Sequence, residues 1–111
     1  MPTNTFTWSN FDQTSPKHQA LHGFLVLDVQ YSSKHANEIR AGIKAYRSKQ
    51  LDAFEGSGNG YEFECQPQGF YLNGLYEGDP LTPVTIDYPT TEQALSEWAD
   101  YCQKLETTQI K

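Results

Sequence analysis

The stretch that decides the fold runs from Tyr61 to Tyr76 and consists of YEFECQPQGFYLNGLY. Its first five residues alternate strictly between apolar and acidic side chains, which is the period of a β-strand with one buried face. Gln66–Gly69 then places proline and glycine where a chain reverses, and an apolar-rich run from Phe70 to Tyr76 follows. The sequence therefore predicts a β-hairpin.

Two further elements are predicted downstream of this hairpin. A second turn at Glu77–Pro80 precedes renewed alternation over Val84–Tyr88, so the strands form a three-stranded meander. Thr90 with Gln93 three residues later has the form of a capping box and predicts a helix that ends near Leu105. Helical spacing places an apolar stripe on that helix, formed by Leu95, Trp98, Cys102 and Leu105.

The chain upstream of the hairpin predicts two strands and a helix. The strands are Thr5–Trp8, from its alternation, and Phe24–Tyr31, whose nearly continuous apolar character is typical of a central strand. Asn10–Gly23 is predicted to connect them. A helix over Lys34–Phe54, capped by Ser32 or Ser33, follows from apolar residues at helical spacing, and Gly56–Gly60 is predicted to be a flexible connector.

This order of elements predicts an α+β fold, with an antiparallel or mixed sheet of about four to five strands packed by two helices. The 111 residues fit one domain, residues 1–111, and the two Trp, seven Tyr and six Phe can fill its core. The longest apolar run, Phe24–Val29, is too short to cross a membrane. The first residues lack the basic start and apolar segment of a secretory signal, so we expect a cytoplasmic protein.

Charge is divided unevenly along the chain. Residues 1–49 carry six basic and three acidic side chains, whereas residues 50–103 carry ten acidic side chains and no lysine or arginine. An acidic field disfavours direct binding to nucleic acid and would attract a basic protein partner. The alternative is that the acids only keep a small protein soluble.

The polar side of the predicted meander gathers acidic residues beside a tyrosine. Tyrosine is frequent at the centre of protein interfaces, and carboxylates can pair with arginine or lysine of a partner. The sequence thus predicts a partner-binding surface formed by Glu62, Glu64, Tyr71, Glu77, Asp79 and Asp87. An ordinary solvated sheet face is the alternative.

No pattern in the sequence favours an enzyme, a metal site or a cofactor. His18 and His22 are four residues apart but lack a further ligand nearby, so we interpret them as surface histidines. Cys65 and Cys102 fit buried positions, although a disulfide between them is possible. Glu62 and Glu64 could act as a glycosidase-like acid and base, but so short a chain has little room for a deep substrate cleft.

A basic stripe formed by Arg40, Lys44 and Arg47 lies along the predicted first helix. It is either a solvated face or a contact with the acidic half of the chain. Strand edges left open could also pair with a second copy, so we expect a monomer or a weak homodimer.

The region Gly60–Leu105 resembles small immunity proteins of bacterial toxin-immunity pairs, especially the contact-dependent growth inhibition type. The segments that carry the resemblance are Gly-Tyr-Glu-Phe-Glu-Cys, Gly-Phe-Tyr-Leu, Glu-Gly-Asp and the closing helix from Glu92 to Cys102. The likeness is one of size, acidity and element order, and it assigns no individual residue. It implies a cytoplasmic protein that binds a toxin domain, often a cationic nuclease, and blocks its active site.

Two other functions remain open at this point. A phage-type inhibitor of a host defence nuclease would use the same acidic mimicry of nucleic acid. A small-molecule-binding or housekeeping domain would carry the same acids as a solvated surface.

Overall fold

The computed structural model of the protein describes residues 6–75 and 81–109. Its elements in chain order are α1 (Pro16–Phe24), a π-helical turn (Leu25–Val29), α2 (Ser33–Arg47), β1 (Glu55–Ser57), β2 (Tyr61–Gln66), β3 (Gly69–Gly74), β4 (Val84–Ile86) and α3 (Tyr88–Gln109). The predicted α+β class is confirmed, and the described part of the chain has four strands, within the predicted number, but three α-helices instead of the predicted two.

The four strands form one antiparallel sheet in the order β1-β2-β3-β4. The predicted hairpin is confirmed, with Tyr61 opposite Gly74 and Gln66 opposite Gly69. Gly69 has a φ of 156°, and a Cβ atom there would lie 2.5 Å from the carbonyl oxygen of Ile86 on the neighbouring strand. The turn between β2 and β3 therefore requires glycine.

The segment Gly56–Gly60 is an ordered hairpin rather than the flexible connector that its glycines predict. Its first residues belong to β1, and the Gly58 amide donates to the Tyr61 carbonyl at 2.9 Å to close the turn. The Asp28 carboxylate accepts hydrogen bonds from the amides of Gly60, at 2.8 Å, and Tyr61, at 3.0 Å. These bonds attach the hairpin to the π-helical turn.

The predicted strand Phe24–Tyr31 is wrong, because this run ends α1 and continues as the π-helical turn. A continuous apolar run of this length suits a buried helix as well as a buried strand, so its composition does not separate them. The preceding segment, predicted to be a connection, contains α1. Its start is marked by Ser15, whose side chain accepts a hydrogen bond from the His18 amide, and by Pro16 in the first turn.

Gln30 ends the π-helical turn with a strained backbone. Its φ of 62° and ψ of −167° lie in a region that residues other than glycine rarely adopt. The Gln30 amide donates to the Leu25 carbonyl at 2.7 Å, and its own carbonyl accepts from the indole Nε1 of Trp98 at 2.8 Å. Trp98 is fully buried, so the core holds this conformation in place.

Helix α2 is confirmed but is shorter than predicted. It begins at Ser33, and Ser32 caps it by accepting a hydrogen bond from the His35 amide at 3.1 Å. The helix ends at Arg47, and Lys49 adopts a left-handed φ of 67° that stops it from continuing. Phe54, the predicted last residue, instead folds back so closely that a Cβ atom at Gly42 would lie 2.2 Å from its ring.

Helix α3 begins at Tyr88 and is capped by Asp87, not by Thr90. The Asp87 carboxylate accepts hydrogen bonds from the Thr90 amide, at 3.0 Å, and the Thr90 hydroxyl, at 2.8 Å. Gln93, the predicted partner of Thr90, bonds to Glu97 instead. The predicted stripe is confirmed for Leu95, Trp98 and Cys102, which are buried, and the helix runs past its predicted end at Leu105 to Gln109.

The N-terminal residues 6–8 form no strand, which corrects the prediction for Thr5–Trp8, although Thr5 lies outside the described residues. Their aromatic side chains pack into the core instead. Trp8 is 3% exposed, and the Phe6 ring meets Trp98 edge-on with 5.1 Å between centroids. Behind the sheet, Phe24 of α1 packs edge-on against Phe70 of β3, so helices and strands share one hydrophobic core.

Candidate protein-binding surface

The polar side of the sheet is exposed, with no helix of the described ranges over it, and forms what we call the outer sheet face. The opposite side is buried through Tyr61, Cys65, Phe70 and Leu72, and strand alternation turns their neighbours outward. By register and exposure, the outer sheet face consists of Glu55, Ser57, Glu62, Glu64, Tyr71, Asn73 and Thr85.

Three of the predicted binding residues meet on the outer sheet face. Glu64 on β2 lies opposite Tyr71 on β3. Glu62 lies opposite Asn73, whose side-chain amide donates to the Glu62 carboxylate at 3.0 Å. Tyr71 in turn lies opposite Thr85 on β4. The predicted juxtaposition of Glu62 and Glu64 with Tyr71 is thus confirmed.

This face contains a third carboxylate that the sequence pattern did not predict. Glu55 lies in β1 directly opposite Glu64, and both side chains are exposed. The dipeptide Asn59-Gly60 before an alternating strand is a strong hairpin signal and could have revealed β1.

Among the described residues, the carboxylates of the outer sheet face take part in no ion pair. Glu55, Glu62 and Glu64 form no ion pair with any lysine, arginine or histidine in residues 6–75 and 81–109. Directly opposed like charges destabilise an antiparallel sheet, so the pair Glu55 and Glu64 opposes folding. Within the described part of the chain, no cation therefore compensates the negative charge of this face.

A shallow hollow of about 370 Å³ opens on this face. It is lined by all three carboxylates, and by Tyr71, Phe63, Ser57 and Gly56. Tyr71 is half-buried, so its ring supplies a firm apolar wall next to acidic groups. Such a hollow suits one long cationic side chain, because guanidinium and ammonium groups bind carboxylates and also stack on aromatic rings.

No family model, curated protein or solved structure matches this chain.

The other predicted binding residues are placed differently. Asp87 is exposed but is engaged as the cap of α3. Partial burial disfavours its ionised form, yet the two hydrogen bonds from Thr90 outweigh this effect, and the pKa of Asp87 is lowered. Glu77 and Asp79 lie outside the described residues.

The histidines are engaged in local structure. His18 and His22 both lie on α1, contrary to the predicted connection. The His18 Nδ1 accepts from the Asp12 amide at 2.8 Å, and the His22 Nε2 donates to the Phe6 carbonyl at 2.8 Å. The described residues contain no group of three or more histidine, cysteine, aspartate or glutamate side chains placed to hold a metal ion.

Both cysteines are buried and free, so the possible disulfide is absent. Burial raises the pKa of the Cys65 thiol, and burial together with the nearby Glu106 charge raises that of Cys102 to about 11. Neither environment favours a nucleophilic thiolate. Within the described ranges, no helix is long and apolar enough to cross a membrane.

Proposed function

We propose that this protein is an inhibitor that binds a cationic protein through its outer sheet face, and that it acts as an immunity protein against a toxin nuclease domain. The observation that carries the proposal is the cluster of Glu55, Glu62 and Glu64 around Tyr71, with which no described cation forms an ion pair. Its acidity is suited to the basic cleft in which a nuclease holds its phosphate backbone.

The arrangement of the carboxylates favours binding over simple solubility. A surface that only serves solubility carries both signs of charge interspersed, which limits repulsion. Here Glu55 opposes Glu64 across two strands, and no described cation relieves them. A partner that supplies arginine or lysine would remove this repulsion on binding.

Each residue of the face has a distinct part in the proposed contact. Glu55 and Glu64 flank the hollow and hold the positive group of one inserted arginine or lysine. Tyr71 packs against the aliphatic stem of that side chain, which costs little conformational entropy on the tyrosine side. Glu62, oriented by its hydrogen bond from Asn73, is placed to pair with a second cation.

The proposal is tested by capture of the tagged protein's partner from its native cell extract at 50 and 150 mM NaCl. We expect one cationic protein at near-equal amount, whose nuclease activity the wild-type chain inhibits. The double variant Glu62→Lys/Glu64→Lys should bind it at least tenfold more weakly, because buried charge pairs at interfaces contribute about 2 kcal/mol or more.

A matched control separates local contact from net charge. Glu38→Lys/Asp100→Lys changes the net charge equally but alters exposed positions on α2 and α3, away from the outer sheet face. Its affinity should stay within about twofold of wild type at 150 mM NaCl, where long-range charge effects are screened. Equal loss in both variants would refute the assigned face. A captured partner that lacks nuclease activity would refute the immunity function.

A further inference from the structure

A second polar surface lies along the C-terminal half of α2 and carries the opposite charge. It is a hollow of about 680 Å³ whose charged lining consists of Arg40, Lys44, Arg47 and Glu92. We call it the α2 groove. Glu92 belongs to α3, which runs antiparallel to α2, since Arg47 contacts Glu92 at one end and Ser33 contacts Glu106 at the other.

The cations of the α2 groove exceed its single acid. Arg47 forms an ion pair with Glu92, with 3.0 Å between nitrogen and oxygen. Arg40 donates to the neutral side chain of Asn37 at 2.9 Å, and Lys44 forms no ion pair with a described carboxylate. Two positive charges thus remain within one hollow and face solvent.

Arg47 is held in position before any ligand arrives. Its guanidinium carbon lies 4.8 Å from the centre of the Tyr88 ring, in addition to the ion pair with Glu92. The ion pair with Glu92 uses one of the five N–H donors of the guanidinium, so donors remain for a ligand. A preorganised arginine loses less conformational entropy on binding.

A second hollow of about 550 Å³ adjoins the groove, and Arg47 lines both. Lys49 and Asp52 also line it, and their charges are of opposite sign. Tyr46, Leu51 and Pro67 form its apolar wall, and Leu51 is 41% exposed. A cationic groove next to a hollow with an apolar wall fits a ligand that has an anionic and a flat apolar part.

The charges of the whole chain restrict the size of this ligand. A net charge of −6 repels an extended polyanion, whereas the local field of the groove acts within a Debye length of about 8 Å. A single carboxylate would leave one of the two excess cations unpaired. A phosphate group carries about −1.5 to −2 charges and three acceptor oxygens. One phosphate can therefore balance the charge of both excess cations and accept their hydrogen bonds.

We propose that the α2 groove binds a small phosphorylated molecule with an aromatic group, such as a nucleotide. Arg40, Lys44 and Arg47 hold the phosphate, and the aromatic group lies against Tyr46 and Leu51. This site is separate from the outer sheet face and does not depend on the inhibitor function.

The test titrates ATP, pyrophosphate and inorganic phosphate into the ¹⁵N-labelled full chain in 50 mM NaCl, followed by amide chemical shifts. We expect ATP to bind with a Kd of about 0.1 to 1 mM, with shifts in α2 and around Leu51. Lys44→Ala and Arg40→Ala should each weaken ATP and pyrophosphate about fivefold. Leu51→Ser should weaken ATP but leave pyrophosphate unchanged.

Lys34→Ala provides the matched control, because Lys34 is an exposed cation in the first turn of the same helix and outside the groove. This substitution should change the Kd for ATP and for pyrophosphate by no more than twofold. Equal effects of Lys34→Ala and Lys44→Ala would show nonspecific attraction and overturn the site. A Kd for ATP above about 10 mM would overturn it as well, and ATP affinity no higher than that of pyrophosphate would overturn the aromatic assignment.

Discussion

Glu55 and Glu64 lie directly opposite each other on β1 and β2, both exposed and neither paired with a described cation. Like charges in this position repel, whereas opposite charges stabilise an antiparallel pair by about 0.2 to 1 kcal/mol. This repulsion lowers the free energy of unfolding, and such a loss of stability is common at functional surfaces.

We expect Glu55→Lys to raise the free energy of unfolding by about 0.5 kcal/mol, because it replaces this repulsion with a cross-strand ion pair. Urea unfolding in 20 mM NaCl measures the gain. It should largely vanish in 1 M NaCl, where charges are screened beyond about 3 Å. Lower stability of Glu55→Lys at low salt would contradict the observed register.

Gln30→Gly should stabilise the protein by about 1 kcal/mol, since glycine adopts the conformation at Gln30 without a Cβ clash. The gain is partly offset because the Gln30 side chain donates to the Leu27 carbonyl at 3.1 Å. Gln30→Ala removes the same bond but keeps the strain, so it should be less stable than wild type. Thermal unfolding of both variants measures the difference, and equal effects would contradict strain at this residue.

The cap of α3 predicts a pH-dependent contribution to stability. The pKa of Asp87 lies below its ordinary value of 3.8, so the ionised cap stabilises the folded state above about pH 4. This contribution is lost as the pH falls through the lower, folded-state pKa.

Asp87→Ala should therefore lower the free energy of unfolding by about 1 kcal/mol at pH 7, with a smaller difference at pH 2.5. Asp87→Asn is the control, because asparagine caps a helix without ionising, and its stability should remain close to wild type at pH 7. Urea unfolding at both pH values measures these differences. A loss for Asp87→Ala that is independent of pH would exclude the charged cap.

Neither thiol should react with Ellman's reagent in the native protein at pH 8, because Cys65 and Cys102 are buried and their pKa values are raised, that of Cys102 to about 11. Two equivalents should react in concentrated urea. In Cys102→Ser one equivalent should remain, which isolates Cys65. Rapid reaction of a native thiol would contradict its burial.

Local patterns sufficed for part of the fold. The alternation of Tyr61–Cys65 and the turn residues before Gly69 predict the central hairpin, since side-chain period and turn chemistry are properties of adjacent residues. The apolar stripe of α3 was predictable for the same reason, and so was the placement of Glu62 and Glu64 on one side of β2.

Other elements had local signals that a stronger pattern concealed. Ser15 and Pro16 mark the start of α1, but the apolar run after Gly23 favoured a strand. Asn59-Gly60 marks the hairpin that makes β1, but the surrounding glycines favoured a flexible connector. In both cases two local preferences compete, and packing against the rest of the chain decides between them.

By itself, the sequence determined the α+β class, the central hairpin, the amphipathic α3 and the acidity of the second half of the chain. The tertiary structure alone decided that Glu55 faces Glu64 and that Arg47 meets Glu92. These pairs depend on strand register and on helix packing, which join segments distant in sequence. Composition records how many charges a chain carries, but only the folded backbone determines which of them become neighbours.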